Sequence, residues 1–392
     1  MAEIKSLPRV MISIVRADTG GAPEHVLQLV KALQGQVEFY IVCPHDRPYY
    51  QRLATLLGQD RMVEIPHRRL RLSAFTRMAR AVRDNKIDLI HSHGKGGGVY
   101  GRLIALVTGR KAVHTQHGMS PETKDKKWFL DHNIWLDLIL GKVTDACICV
   151  SEGEKNETVA QHVAKAHQLT VIPNGVPNGL RRHHVDAGDR QLNLVTVSRF
   201  DAQKNPDELL EIVDILSRRN IPTGFHLTVL GVGQGKDAFE QKLADRSLDG
   251  FVTMTGAVSD VRRIYRRSDM LISTATWEGM PLALLEAMSE GLPIVASNVV
   301  GNRDVVNDGE NGFLYPLGNP ESAVDAILKL SNADTRQRLG DAGREMVNAR
   351  HSVKTMADQT LQLYNTVLGK HHIRQPDAEK SEEPSVLPKQ AV

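Results

Sequence analysis

Apolar positions along the chain alternate between two periodicities. Short runs of strand length and composition occur at 10–15 (VMISIV), 37–42 (VEFYIV), 87–93 (IDLIHSH), 111–117 (KAVHTQH), 145–150 (DACICV) and 169–173 (LTVIP). Between them, residues 23–34, 48–58, 72–85, 98–108, 128–142 and 153–163 place apolar side chains at helical spacing. After the polar stretch RRHHVDAGDR the alternation restarts, with strands predicted at 192–198, 225–231, 251–256, 270–275, 292–297 and 312–316. Uniformly apolar strands separated by helices belong to parallel sheets covered on both faces. The pattern predicts an α/β chain with two doubly wound parallel-sheet domains, 1–180 and 191–351, joined by a linker at 181–190. A helix at 352–369 is expected to pack back on the first domain, ahead of a charged, disordered tail at 370–392. Sheets of this kind bind ligands beyond the carboxyl ends of their strands, and two such edges face to face make a deep cleft.

Composition narrows the class. Charged residues make up 24% and hydrophobic ones 41%, which suits a globular chain with real cores. Three cysteines, all in strand-like runs, predict a reducing compartment and no disulfide framework. Cys147 and Cys149 share a strand face and are assigned to core packing. The first residues have neither the apolar core nor the cleavage site of a signal peptide, and no run of apolar residues is long enough to span a bilayer. The expected location is the cytoplasm. Net charge is +3 but uneven: residues 1–180 carry 24 basic and 17 acidic residues (+7), leaving 25 and 29 (−4) for the rest. No nucleic-acid module accompanies the basic half, so nucleic acid is not an expected partner.

Candidate chemistry sits at the predicted strand ends. In TGGAPEHV, Gly20 and Gly21 lie in the turn before a helix, with Pro23 expected at its first position. Small residues there allow an anion to approach free backbone N–H groups; the alternative is an ordinary tight turn. GVGQGKD (231–237, with Gly233) lacks phosphate-loop spacing and offers either nucleotide contact or a plain glycine turn. In SRFDAQKNPDELLE, Arg199 and Lys204 precede a helix expected to be capped by Asn205, with Pro206 at its first position. Two cations and a helix N-terminus suit a diphosphate, or else are solvated surface charges. The segment from Pro281 to Glu290 is apolar almost all round, yet Glu278 precedes it and Glu286 sits in its middle. An unpaired buried carboxylate costs several kcal/mol, so each acid needs a partner. Hydroxyl groups of a sugar and a ribose, with phosphate at the backbone of Gly279 and Met280, would supply one; an arginine is the alternative for Glu286. His91 and His93 form H-x-H at a strand end, more simply structural or cleft-lining than metal-binding because no further ligand cluster follows closely. The run GKGGGVYG (94–101) is expected to lead into a helix and could meet an acceptor.

These motifs, in this order, resemble retaining glycosyltransferases of family 4, which have two Rossmann-like domains facing a deep cleft (the GT-B architecture). The resemblance covers about residues 8–368 and is most specific in TWEGMPLALLEAMSEGLPIVASNVVGNRDVVNDGENGFL (276–314), supported by TGGAPEHV, HTQHG, VIPNGV and SRFDAQKN. It implies a nucleoside-diphosphate-sugar as donor substrate, no cofactor, and an acceptor hydroxyl on a saccharide or lipid-linked saccharide, in bacterial surface polysaccharide or glycolipid assembly. Glu278 would hold donor-sugar hydroxyls and Glu286 the ribose. Arg199 and Lys204 would neutralise the leaving diphosphate, and His117 would lie beside the sugar. Gly20, Gly21, Gly233, Val258, Gly279, Met280, Pro281 and Leu282 would line the donor site, Val258 passing the base. The family's lysine is usually followed by Gly, whereas Asn205 follows here, so the local turn is in question. The chain has no Asp-x-Asp, the pattern of metal-dependent sugar transferases, so no metal is expected. The basic helix at 68–83 and the basic-aromatic segment KDKKWFLDHNIW (124–135) suggest contact with the inner face of the cytoplasmic membrane; the alternative is a solvated face beside core aromatics. The competing functional readings are a nucleotide-sugar epimerase or phosphorylase on a similar fold, and a non-catalytic nucleotide-sugar-binding subunit.

Overall fold

The computed structural model describes residues 7–118, 139–179 and 190–369, apart from 220, 222 and 259. The aromatic segment at 124–135, the start of the helix expected at 128–142, all of the linker but Arg190, and the tail lie outside the described residues.

Two parallel sheets are present. The first has seven strands: β1 (Arg9–Ser13), β2 (Glu38–Cys43), β3 (Met62–Glu64), β4 (Leu89–His93), β5 (Lys111–Thr115), β6 (Ala146–Cys149) and β7 (Leu169–Val171), in the order β3-β2-β1-β4-β5-β6-β7. The second has six: β8 (Leu192–Val197), β9 (Phe225–Leu230), β10 (Val252–Gly256), β11 (Met270–Ser273), β12 (Ile294–Ser297) and β13 (Gly312–Tyr315), in the order β10-β9-β8-β11-β12-β13. Each sheet reverses direction beside its first strand, between β1 and β4 and between β8 and β11. These are the switch points at which such sheets open a binding crevice.

In the first half, α1 (Gly21–Ala32), α2 (Tyr49–Leu57), α3 (Leu72–Asp84), α4 (Gly94–Thr108) and α5 (Glu152–Ala160) flank the sheet. In the second, α6 (Pro206–Arg218), α7 (Lys236–Asp245), α8 (Val261–Tyr265), α9 (Leu282–Ser289), α10 (Pro320–Lys329) and α11 (Ala333–Arg350) do so. The apolar stripe of α1 (Val26, Leu29, Val30) is fully buried in the first core together with Leu33 just beyond its end. A last helix, α12 (Val353–Val367), also joins that core through Met356, Ala357, Leu361 and Tyr364. Ser352 caps α12 by accepting from Thr355 N at 3.0 Å.

Three local expectations need correction. Pro23 is the third residue of α1, not the first; it still lies in the first turn, where no N–H is missed. Asn205 does not cap α6 with its side chain. It sits in the left-handed region (φ 48°) and donates its amide to Glu208 at 2.6 Å. Asparagine is among the few non-glycine residues that tolerate this conformation. The helix expected at 98–108 starts four residues earlier, at Gly94, so the glycine run 94–101 is the first half of α4 itself. A Cβ at Gly97 would fall 2.5 Å from the Ser13 carbonyl oxygen, and one at Gly101 2.7 Å from the Ser92 Cβ. The glycines let α4 press against β1 and β4.

Candidate functional site at the facing sheet edges

The loop leaving β8 carries both predicted cations. Arg199 is held by Asp201 (Nε to Oδ2, 3.0 Å) and donates to Gln203 Oε1 at 2.5 Å. Lys204 reaches across to Glu278 Oε1 at 2.6 Å, and both side chains are largely buried. A charged pair this shielded is stronger than a surface pair but costs desolvation, which any ligand inserted between them would share. The glycine turn after β9 is packed on this same loop. A Cβ at Gly231 would lie 1.8 Å from the Ser198 carbonyl oxygen, and at Gly233 1.8 Å from that of Arg199. Both glycines are therefore required by the protein's own backbone, whatever else Gly233 touches.

The loop leaving β11 carries Glu278 and runs through Gly279 and Met280 into α9. Glu278 N donates to Val300 O at 3.2 Å, and a Cβ at Gly301 (φ 85°) would fall 2.7 Å from the Glu278 carbonyl. Pro281, in extended conformation, opens the helix; Leu282 is buried at its first position. Among the described residues, the Glu286 carboxylate has no hydrogen-bond or ion-pair partner, its backbone carbonyl alone accepting from Ser289 Oγ (2.7 Å) and Glu290 N (3.3 Å). Its carboxyl is pushed up to about 7, first by burial, then by the nearby Glu24, with Arg262 opposing. Glu24 is engaged by Tyr49 Oη (2.8 Å) and Gln28 Nε2 (2.5 Å). The acid that looked out of place in the sequence is thus partnerless within the fold.

Across from these loops stands the edge of the first sheet. Gly20 and Gly21 meet nothing closer than ordinary contact; the nearest atom to a Cβ at Gly21 would be the Leu282 Cδ1, at 3.7 Å. The fold does not require glycine at either position, in contrast to Gly231 and Gly233. His25 in α1, His93 at the end of β4 and His117 after β5 form a triangle of rings, with centroids 4.9, 5.2 and 5.4 Å apart. Burial pushes all three rings below the ordinary histidine range, His25 to about 4, so they are neutral. His91 is pushed to about 3 by burial and is satisfied by Tyr364 Oη (2.6 Å) and Thr115 Oγ1 (2.7 Å). His117 has φ 68°, a conformation that costs a β-carbon residue ~1–3 kcal/mol and persists where surroundings impose it. What imposes it is the next residue: Gly118 N donates to the buried Glu154 at 2.5 Å, and Glu154 also accepts from Val150 N at 2.7 Å. Gly118 in turn abuts the other half, since a Cβ at Gly279 would lie 2.6 Å from Gly118 N.

The site is thus a cleft between two parallel-sheet edges, with histidines and a glycine turn on one side and a Lys–Glu pair, an arginine and a helix N-terminus on the other. Comparison with known proteins identifies this arrangement. Residues 19–178 match the family described as Glycosyltransferase Family 4, and residues 182–346 match Glycosyl transferases group 1. The chain belongs to glycosyltransferase family 4. Among curated relatives, it is 26% identical over 295 residues to an Escherichia coli UDP-Gal:alpha-D-GlcNAc-diphosphoundecaprenol alpha-1,3-galactosyltransferase, covering 72% of this chain and 76% of that one. It is 24% identical to the Staphylococcus aureus capsular polysaccharide biosynthesis glycosyltransferase CapM, covering 76% of this chain and 81% of that one. Among solved structures, Anabaena HepE in complex with UDP and glucose superposes with a TM-score of 0.78 at 17% identity, over 92% of this chain and 100% of that one. Sucrose-phosphate synthase from Thermosynechococcus elongatus gives 0.77 at 21% identity, over 93% and 100%. The GT-B architecture follows, and the glycosyltransferase reading prevails over the epimerase and phosphorylase alternatives.

Several residues of this glycosyltransferase site escaped the sequence reading. His25 and Asn174 lay inside quoted motifs without being singled out. Asn174 Nδ2 donates to Met280 O (2.8 Å) while its Oδ1 meets His25 Nδ1 (2.9 Å), so one amide ties both halves together. Gln203 bridges Arg199 and the Trp277 carbonyl (3.0 Å). Glu154 carried only the local signal of a helix start, Ser151-x-x-Glu154, where Ser151 accepts from Glu154 N at 3.0 Å; nothing in the sequence pointed to Gly118. Val258 packs partly buried against the core around α9, on the same edge as the β8 loop.

Proposed function

We propose that this glycosyltransferase moves a sugar from a nucleoside-diphosphate donor to an acceptor hydroxyl with retention of anomeric configuration and without a metal ion. The observation that carries the reading is Glu286, a half-buried carboxylate without a partner among the described residues, one helical turn beyond a loop bearing a Lys204–Glu278 pair. Ribose hydroxyls would donate to Glu286, and Glu278 would turn to the donor sugar. Lys204, released from Glu278, and Arg199 would face the diphosphate together with the N–H groups at the start of α9. As the anomeric C–O bond breaks, its electron pair stays on the diphosphate oxygen, where the two cations stabilise it. The acceptor oxygen forms the new bond on the same face and gives its proton to the departing phosphate. No enzyme nucleophile is assigned. His117 would lie beside the sugar. That HepE was solved with UDP and with UDP-glucose supports a nucleotide at this edge. Relatives named for capsular and lipid-linked saccharides support a bacterial surface polysaccharide or glycolipid acceptor.

Thermal shift with UDP, GDP, ADP and their common sugars, with and without EDTA, tests the donor site. One nucleotide should stabilise the wild type, EDTA should change nothing, and Glu286→Ala should lose the response. Silence to every nucleotide at millimolar concentration would sink the donor site; loss of the shift in EDTA would sink the metal-free mechanism.

No helix among the described residues is long and apolar enough to cross a membrane. We place the chain peripherally at the cytoplasmic face of a membrane, because Leu70 and Leu72 are 55% and 81% exposed among Arg68, Arg69 and Arg71 at the start of α3. Co-flotation with anionic but not neutral vesicles is the expected result, and no flotation with either would remove this placement.

A further inference from the structure

The three histidines at the cleft differ in which nitrogen is spoken for. Asn174 settles His25: its Nδ2 is fixed as donor to Met280 O, so its Oδ1 accepts from His25 Nδ1–H, and His25 Nε2 is a lone pair. His93 Nδ1 and His117 Nε2 share one hydrogen bond at 2.9 Å. His93 Nε2 is buried with no partner among the described residues.

Two neutral rings sharing one proton in that bond leave two arrangements. If His117 Nε2–H donated, His93 would carry its proton on Nε2, an orphaned buried donor. If His93 Nδ1–H donates, the orphan is only an acceptor lone pair. Buried orphan N–H groups are the rarer and costlier case. His93 also stands at the N-terminus of α4, whose positive end opposes any second proton on the ring. The same accounting disfavours a metal among His25, His93 and His117, although one nitrogen of each lies within 4.8 Å of the others. Two neutral rings joined by their own hydrogen bond cannot both keep that bond and offer a lone pair to an ion.

We propose that His93 is a positioning residue that holds His117 as its Nδ1–H tautomer, so that His117 offers the cleft a hydrogen-bond donor and His25 an acceptor. Resting on the donor-site reading above, this gives the sugar side of the cleft a matched pair: one ring donates to a sugar oxygen, the other accepts from a hydroxyl. A donor sugar with a free hydroxyl there is the chemistry that fits, and a deoxy sugar at that position is disfavoured.

Long-range imidazole ¹H–¹⁵N correlation spectra of histidine-labelled protein read the tautomer directly, with His117 assigned by its loss in His117→Gln. Wild type should show His117 protonated at Nδ1. His93→Asn, whose amide can donate from the same place, should keep that pattern. His93→Leu should move His117 to the Nε2–H form that free histidine prefers. In turnover, His93→Leu should lower kcat/KM about tenfold, the scale of one lost hydrogen bond, and His93→Asn should restore most of it. An Nε2–H signal from His117 in the wild type overturns the proposal, as does an unchanged Nδ1–H signal in His93→Leu. The wild-type spectrum needs neither donor nor turnover. An inactive chain with the expected tautomer would count against the proposed function and leave this inference standing.

Discussion

At the scale of single residues, Glu286 makes the sharpest statement, because burial and Glu24 penalise its charge and Arg262 only partly opposes them. Its carboxyl is pushed up to about 7 by burial and by Glu24. In the proposed site, ribose hydroxyls would favour the ionised form, which accepts hydrogen bonds from both. The sign follows: nucleotide binding should be full above pH 7 and weaken as pH falls through that value, by up to about tenfold per unit once Glu286 is mostly protonated. Glu286→Gln should bind more weakly at pH 8 but lose this dependence, and titration calorimetry from pH 5.5 to 8.5 separates the two. A wild-type affinity flat across that range would remove Glu286 from the nucleotide. This acid was legible from sequence because it broke an otherwise apolar helix. Glu154, also pushed up to about 7 chiefly by burial, was not. Val150 is a local partner at the start of its own helix, but Gly118 is brought to it by the fold, and no local pattern marks a contact 36 residues distant.

Among elements, every strand but the short, half-exposed edge strand β3, and most helices, followed from periodicity. Helix α4 is where local propensity misled. Glycine disfavours helices by ~1 kcal/mol each relative to alanine, so the sequence pattern places GKGG (94–97) ahead of the helix predicted at 98–108. Tertiary packing outweighs that preference here. Gly97→Ala should gain roughly 1 kcal/mol of helix propensity. Its methyl would, however, fall 2.5 Å from the Ser13 carbonyl oxygen, backbone that cannot swing aside. Overpacking of this kind typically costs ~1–3 kcal/mol, occasionally more, so the net change should be destabilising. Urea denaturation is expected to give a lower midpoint with an unchanged slope. A stabilised Gly97→Ala would show that α4 and β1 can part, and that the glycine run is not a packing device. The turn at Asn205 teaches the converse: the left-handed conformation there falls to one of the few non-glycine residues that tolerate it.

For the whole molecule, the crossing between halves decides how the two sheet edges meet, and sequence showed only that a crossing exists. The chain passes through Pro177 and Asn178, whose carbonyls accept from Arg262 Nη2 at 2.6 Å and Nη1 at 3.3 Å. Arg262 Nη1 also pairs with Glu290 at 2.9 Å, and the Glu290 side chain is only 1% exposed. One guanidinium therefore fastens the crossover to the end of α9, the helix that carries Glu286. Arg262→Ala should cost on the order of 3 kcal/mol, the low end for a broken buried pair, because Arg266 still lies 3.9 Å from Glu290. Most of that cost belongs to the stranded carboxylate rather than to lost attraction. Adding Glu290→Leu to Arg262→Ala should therefore recover much of the stability, as measured by denaturation of both single variants and the double. It should not restore the grip on Pro177 and Asn178. If the crossover merely needed a stable core, the double variant would bind donor as the wild type does. If Arg262 sets the approach of the two edges, the double variant should regain stability but bind nucleotide-sugar more weakly than bare nucleotide, relative to wild type. In the proposed donor site the bare nucleotide would meet mainly the second sheet's edge, whereas the sugar would have to reach His117 on the first.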